Sequence, residues 1–244
     1  MGDDPQPWNV TAQNLPEHAG NLIHTDEGAR AEGFPAALVA GVTTYAYLTH
    51  PLVAAWGVDW LARGGGEVRF SAPVFARREL ACTPAARPDG SVTVEAVDRS
   101  EDRNPRAVFE AVRDAGPPPP ARDGDVLPSR EFVLDGRYGA DYGARAGDDL
   151  SLYVREGSVH PAVWPAIANN VMSTDLVTGP WIHTRSILRH HAVMHQGATV
   201  SVHATVVDRF VRHGERAVVD VVIEHDGAPV ATLEHEAIVD LTVT

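Results

Sequence analysis

Hydrophobic and polar residues follow the same order twice along the chain, with a helical pattern first and strand-like segments after it. In the first half, apolar residues recur at helical spacing over residues 41–56. Pro51 lies inside this stretch and predicts a kink, because its ring clashes with the preceding turn. In the second half, the matching helix is predicted over residues 161–177.

Each predicted helix is followed by four segments whose apolar residues alternate with polar ones or are β-branched, which indicates strands. They are 67–74, 79–86, 91–98 and 106–113 in the first half, and 185–193, 198–210, 216–224 and 230–241 in the second. Asp89-Gly90 and Asp226-Gly227 are typical of turns between paired strands. The predicted fold class is therefore α+β, with two similar units.

A proline-rich stretch separates the two halves. Pro117, Pro118, Pro119 and Pro120 are consecutive, and such a run favours a stiff, extended connector. The predicted domains are an N-terminal unit at 1–115, a linker at 116–125 and a C-terminal unit at 126–244.

The halves also share landmarks at one spacing. Arg69 and Arg189 are 120 residues apart, and the same offset aligns Ala40-Gly41 with His160-Pro161. A constant offset indicates a duplicated unit.

Composition narrows the classes of function. The 44% hydrophobic content of the 244 residues suffices for packed cores, and no apolar run reaches the roughly 18 residues of a membrane span. A net charge of −13 argues against a nucleic-acid partner. The 20 basic residues are all arginine, which excludes a lysine Schiff base. The single cysteine, Cys82, allows no internal disulfide and predicts a cytoplasmic protein.

The most informative stretch is Gly20-Asn21-Leu22-Ile23-His24-Thr25-Asp26, followed by a short helical segment, by Gly33-Phe34 and by Gly41 at the start of the long helix. Thr25 or Asp26 is suited to cap the short helix. The stretch resembles the signature of MaoC-like (R)-specific enoyl-CoA hydratases and dehydratases. This resemblance implies a double hot-dog fold, in which an antiparallel sheet wraps a long helix in each of two units.

The resemblance also implies roles for three residues. In those enzymes a histidine and an aspartate hold a water, and the N–H of a glycine at a helix start binds the thioester oxygen. His24 would then be the acid/base residue, Gly41 the oxyanion donor and Asn21 an orienting side chain. Two family positions are altered, with Ala19 at the aspartate and Ala40 at a histidine. Three acidic residues are candidates to replace the lost carboxylate: Glu17, Asp26 and Asp141.

The second half lacks this motif and has Ala144 where His24 would map. It carries other polar residues near its helix, and we predict His160, Asn169 and His183 as substrate-binding residues. Asn170 adjoins Asn169 on the same helix, where a buried amide needs partners.

No cofactor and no metal site are predicted. The sequence has no His-Glu-x-x-His motif, no cysteine pair, no P-loop and no Gly-x-Gly-x-x-Gly motif. His190 and His191 are adjacent on a predicted strand and so face opposite sides.

The leading functional hypothesis is an enzyme that reversibly adds water to an enoyl thioester carried by CoA or an acyl carrier protein. A thioesterase, or an isomerase or cyclase acting on a polyketide-like intermediate, is one alternative. A non-catalytic acyl-binding protein or partner subunit is another, and Ala19 and Ala40 favour it. No nucleic acid or membrane partner is predicted, whereas a homodimer or a second hot-dog chain remains open.

Overall fold

The structure is a computed structural model that describes residues 4–100, 104–177 and 179–241. Its strands are β1 Trp8–Thr11, β2 Gly65–Phe70, β3 Glu79–Ala86, β4 Val92–Asp98, β5 Ala107–Val112, β6 Asp125–Val126, β7 Arg130–Val133, β8 Ile182–His190, β9 Thr199–Val211, β10 Glu215–His225 and β11 Ala228–Asp240. Its α-helices are α1 Asp26–Ala31, α2 Gly41–Arg63, α3 Tyr142–Ala146, α4 Leu152–Glu156 and α5 Val163–Asp175. The eight predicted strands are present, β3 with the predicted ends and the other seven with shifted ends, whereas β1, β6, β7, α3 and α4 were not predicted.

The strands form one sheet in the order β1-β3-β4-β5-β2-β8-β11-β10-β9-β6, with β7 also paired to β9. The antiparallel pair β2–β8 joins the two halves, with Gly65 opposite Arg189 and Arg69 opposite Arg185. Outward from this join, each half repeats the same order of strands. β3 and β9 begin 120 residues apart, at Glu79 and Thr199, which agrees with the duplication inferred from the sequence.

The long helix α2 forms the centre of the first unit. Its residues 42–53 are buried without interruption, as expected for a helix that the sheet wraps rather than one lying on a surface. Tyr45, Leu48 and Leu52 are fully buried there. The kink predicted at Pro51 lies instead at Gly57, whose φ of 60° and ψ of −149° are non-helical. Glycine adopts such a φ at little cost, whereas the φ of proline is already close to helical values.

The second helix, α5, begins two residues later than predicted. Pro165 lies in its first turn, where a missing N–H is tolerated. The proline-rich stretch leads into β6, which pairs with β9, and the domain bounds at 116–125 remain a prediction. No helix within the described ranges is long and apolar enough to cross a membrane.

Candidate active site

The motif that contains His24 is held in place by its own backbone and side-chain hydrogen bonds. Thr25 caps α1, since its side chain accepts the N–H of Gly28 at 3.1 Å. Asp26 accepts the N–H of Ala37 at 2.9 Å, and this bond lowers the pKa of its carboxyl group. Asp26 therefore ties the motif to the segment that precedes α2.

His24 presents an unprotonated nitrogen. Its Nδ1 lies 2.8 Å from the carbonyl oxygen of Leu38, which can only accept, so Nδ1 carries the ring proton. Burial lowers the pKa of His24, which keeps the ring neutral. Nε2 makes no hydrogen bond with any residue that the structure describes. A neutral imidazole with a free Nε2 lone pair can act as a general base.

Gly41 begins α2 beside the same motif. The N–H groups of Gly41 and Val42 make no hydrogen bond with the described residues, as expected for the first turn of a helix. Such N–H groups, with the positive end of the helix dipole, stabilise a developing negative charge. A Cβ at Gly41 would lie 2.9 Å from Nδ1 of His183, so the imidazole ring packs directly on this glycine.

His183 ends a buried chain of hydrogen bonds in the second half. Its Nε2 lies 2.8 Å from Oγ of Ser186, and that oxygen lies 2.8 Å from Nδ1 of His235. Nε2 of His235 then donates to Oδ1 of Asn169 at 2.9 Å. With Asn169 as the final acceptor, Ser186 donates to His235 and accepts from His183, which leaves Nδ1 of His183 unprotonated. Burial lowers the pKa of both histidines, His235 to about 3.

Two adjacent cavities, of about 520 and 270 Å³, open around these residues. Asn21, His24, Asn169 and Trp181 line both of them, whereas Gly41 and His183 line only the smaller one. Asn21 connects the halves here, because its Nδ2 donates to the carbonyl oxygen of Trp181 at 2.9 Å. Its Oδ1 is buried without a partner among the described residues.

Five of the six predicted site residues therefore lie together, and His160 does not. His160 lines neither cavity and is fully buried, with Nε2 3.2 Å from Oδ2 of Asp148. Its Nδ1 accepts the N–H of Ala162 at 3.0 Å, and the ring lies against Tyr153. Both nitrogens are thus used inside the protein, which is what a structural histidine requires.

One group of side chains has the spacing of metal ligands. His50, Asp148 and Asp149 each offer an atom within 4.8 Å of the others. His50 stacks on Trp8 and its Nε2 lies 2.7 Å from Oδ1 of Asp149, an ordinary hydrogen bond. Its Nδ1 is buried without a partner among the described residues, whereas a metal-bound histidine normally has a hydrogen bond there. These contacts fit a structural link between the halves better than a metal centre.

Of the acidic candidates, Glu17 lines the larger cavity with His24, whereas Asp26 and Asp141 line neither cavity. Glu17 pairs with Arg145, and Asp141 also lies 3.4 Å from that guanidinium. The sequence reasoning missed His18, which lines the larger cavity with its ring centroid 6.0 Å from that of His24. Its position directly before Ala19 was the one available signal.

No protein-family model matches this sequence, and no curated protein matches it. Solved structures, in contrast, are similar to this chain over nearly its whole length. A putative MaoC domain protein dehydratase from Chloroflexus aurantiacus has a TM-score of 0.61 at 11% identity, covering 97% of this chain and 95% of the other. A Mycobacterium tuberculosis protein with a double hot-dog fold has a TM-score of 0.59 at 14% identity, with 97% and 96% covered.

A putative oleoyl thioesterase from Lactobacillus plantarum is also similar, with a TM-score of 0.57 at 9% identity and 96% of each chain covered. The class defined by this architecture is the double hot dog, as the sequence resemblance implied. The structural resemblance to MaoC-like dehydratases is confirmed as well. Because all of these identities are low, the similarity establishes the fold and leaves the reaction to the site itself.

Proposed function

We propose that the protein is a hydratase/dehydratase that acts on an acyl thioester. The observation that carries the proposal is His24, which has an unprotonated Nε2 and lines two adjacent cavities, one of which is also lined by Gly41 at the start of α2. A base and an oxyanion donor on one ligand-sized space are the groups that this reaction needs.

In the hydration direction, Nε2 of His24 takes a proton from water while the water oxygen bonds to the β-carbon. The π electrons move toward the α-carbon and the thioester oxygen, and the N–H of Gly41 binds the enolate oxygen that results. The imidazolium then returns the proton to the α-carbon. Dehydration is the reverse, and one histidine thus supplies all of the proton transfer.

The carrier of the acyl group is CoA or an acyl carrier protein. Arg137 is exposed and lines the larger cavity, so its guanidinium is available to a phosphate of either carrier. We also retain the cytoplasmic location, and a homodimer or a hot-dog partner chain, as predictions.

The test uses purified protein with crotonyl-CoA and longer enoyl-CoAs as substrates. It measures two quantities in the same reaction, the loss of the enoyl group and the release of free thiol. We expect water addition without thiol release, and a fall of about 100- to 10,000-fold in kcat for His24→Asn. His203→Gln is the matched control, since His203 is exposed and lines neither cavity. Turnover that survives in His24→Asn would reject the proposal.

A second pair of variants isolates the N–H of Gly41. Ala40 has φ −58° and ψ 140°, a conformation compatible with a following proline, and proline suits the first position of a helix. Gly41→Pro therefore removes the donor, whereas Gly41→Ala adds a Cβ and keeps the N–H. We expect Gly41→Pro to lose a further factor of about 100 to 1,000 in kcat relative to Gly41→Ala. Equal rates would exclude the oxyanion role.

Thioester hydrolysis is the second candidate, favoured by the structural similarity to the putative oleoyl thioesterase. The same water could attack the carbonyl carbon instead of the β-carbon. Release of free thiol from a saturated acyl-CoA, with the enoyl substrate left unhydrated, would favour this reaction.

A further inference from the structure

The water in this mechanism needs a second hydrogen-bonding partner. His24 accepts one of its protons, but a single contact does not fix the direction in which the oxygen lone pairs point. The missing partner must line the same cavity as His24 and lie within reach of one shared water.

His18 meets both conditions. It lines the larger cavity with His24, and the two rings meet edge to face with their centroids 6.0 Å apart. Two hydrogen bonds of about 2.8 Å through one water oxygen reach about 4.5–5.5 Å between ring nitrogens, which suits two rings whose centroids are 6.0 Å apart. The ring is therefore placed to hold a water that His24 also contacts.

The first turn of α2 orients this ring. Nε2 of His18 lies 3.4 Å from Oγ1 of Thr43, which is fully buried in that turn. When the hydroxyl donates to Nε2, the proton of the neutral ring is on Nδ1. The pKa of His18 is lowered to about 4, mainly by burial and secondly by the nearby His24, so the ring is neutral near pH 7. Nδ1–H can then donate a hydrogen bond to the oxygen of a water molecule.

We propose that His18 is a catalytic residue that donates a hydrogen bond from Nδ1 to the reacting water and so orients it between His18 and His24. Thr43 is its positioning residue. His18 transfers no proton in this scheme, so the atom and electron balance of the step is unchanged. The inference rests on the hydratase function proposed above and adds a residue to it.

The charges around His18 come from both halves of the chain. Glu17 lies beside it in sequence, His24 lies across the cavity, and Arg137 and Arg145 approach from the second unit. Glu17 and Arg145 form an ion pair with each other, so the cavity next to His18 carries little net charge from them.

The experiment compares three replacements of His18 in the full-length protein by steady-state hydration of enoyl-CoA. His18→Leu removes both nitrogens, and we expect kcat to fall by about 10- to 100-fold, as for one lost hydrogen bond, with KM within about twofold. His18→Asn places an amide N–H near the position of Nδ1 and should recover most of the loss. His18→Gln places its amide near Nε2 and should not recover it.

Thr43→Val keeps the shape of the buried side chain and removes the hydroxyl, so it should lower kcat with little change in stability. Equal kcat for wild type and His18→Leu, or equal rates for the Asn and Gln variants, would overturn the role of His18 even if His24→Asn is inactive. If His18→Leu does not fold, the comparison of Asn with Gln decides alone. Wild-type protein without hydration activity would instead remove the proposed function, and this inference with it.

Discussion

Replacing Gly41 by alanine tests how tightly the start of α2 packs against the second half. The new Cβ would lie 2.9 Å from Nδ1 of His183 and 3.4 Å from its Cβ and Cγ. The ring has little freedom to move, because Nε2 is hydrogen-bonded to Ser186 and the rings of Phe70 and His235 pack on it, with centroids 4.7 and 4.1 Å away. The added methyl group must therefore displace part of this packed cluster.

Two effects set the magnitude. Overpacking a core typically costs about 1–3 kcal/mol. Alanine is better than glycine in a helix by up to about 1 kcal/mol, which offsets part of this cost. We expect Gly41→Ala to lower the free energy of unfolding by about 1–2 kcal/mol, equivalent to a fall of several degrees in Tm for a chain of this size.

The assay is urea denaturation followed by circular dichroism, with the midpoint read at an unchanged slope. Gly20→Ala is the control, because a Cβ there meets nothing within 4 Å and no loss is expected. A double-mutant cycle with His183→Ala identifies the cause: removal of the imidazole should abolish the cost of Gly41→Ala. A cost that is the same with and without His183 would refute the steric explanation, as would a Gly41→Ala variant as stable as wild type.

Three further predictions concern stability, reactivity and the carrier. Burial lowers the pKa of His190 to about 4 and of His235 to about 3, from an ordinary value of 6.5. As pH falls below about 6.5, these histidines bind protons in the unfolded chain but stay neutral in the folded protein. The free energy of unfolding should therefore decrease toward about pH 4, by up to about 1.4 kcal/mol per pH unit per histidine. Urea midpoints that do not change between about pH 7.5 and about pH 5 would contradict this. Cys82 is fully buried and its pKa is raised to about 12, so iodoacetamide should alkylate it only in denatured protein, and mass spectrometry of native samples would reveal an exception. Arg137→Glu should raise KM for CoA thioesters with kcat little changed, and a KM equal to that of wild type would remove Arg137 from carrier binding.

The sequence alone determined the order of the two long helices and the eight main strands, and the duplication, because these depend on local periodicity. The alternation of apolar and polar residues predicted β3 with the ends that the structure gives it, and Thr25 was one of two predicted caps of α1. The motif around His24 resembled that of one hot-dog family, and the structural similarities agree with that resemblance in fold.

Only the tertiary structure decided which polar residues meet. Asn21 bonds to Trp181 across 160 positions, and the chain of hydrogen bonds from His183 to Asn169 passes through β8 and β11, which are paired in the sheet but far apart in sequence. His160 has the same kind of side chain as His183 but is sealed against Asp148, away from both cavities. Burial, tautomer and pKa depend on contacts between segments far apart in sequence, and no local pattern specifies those contacts.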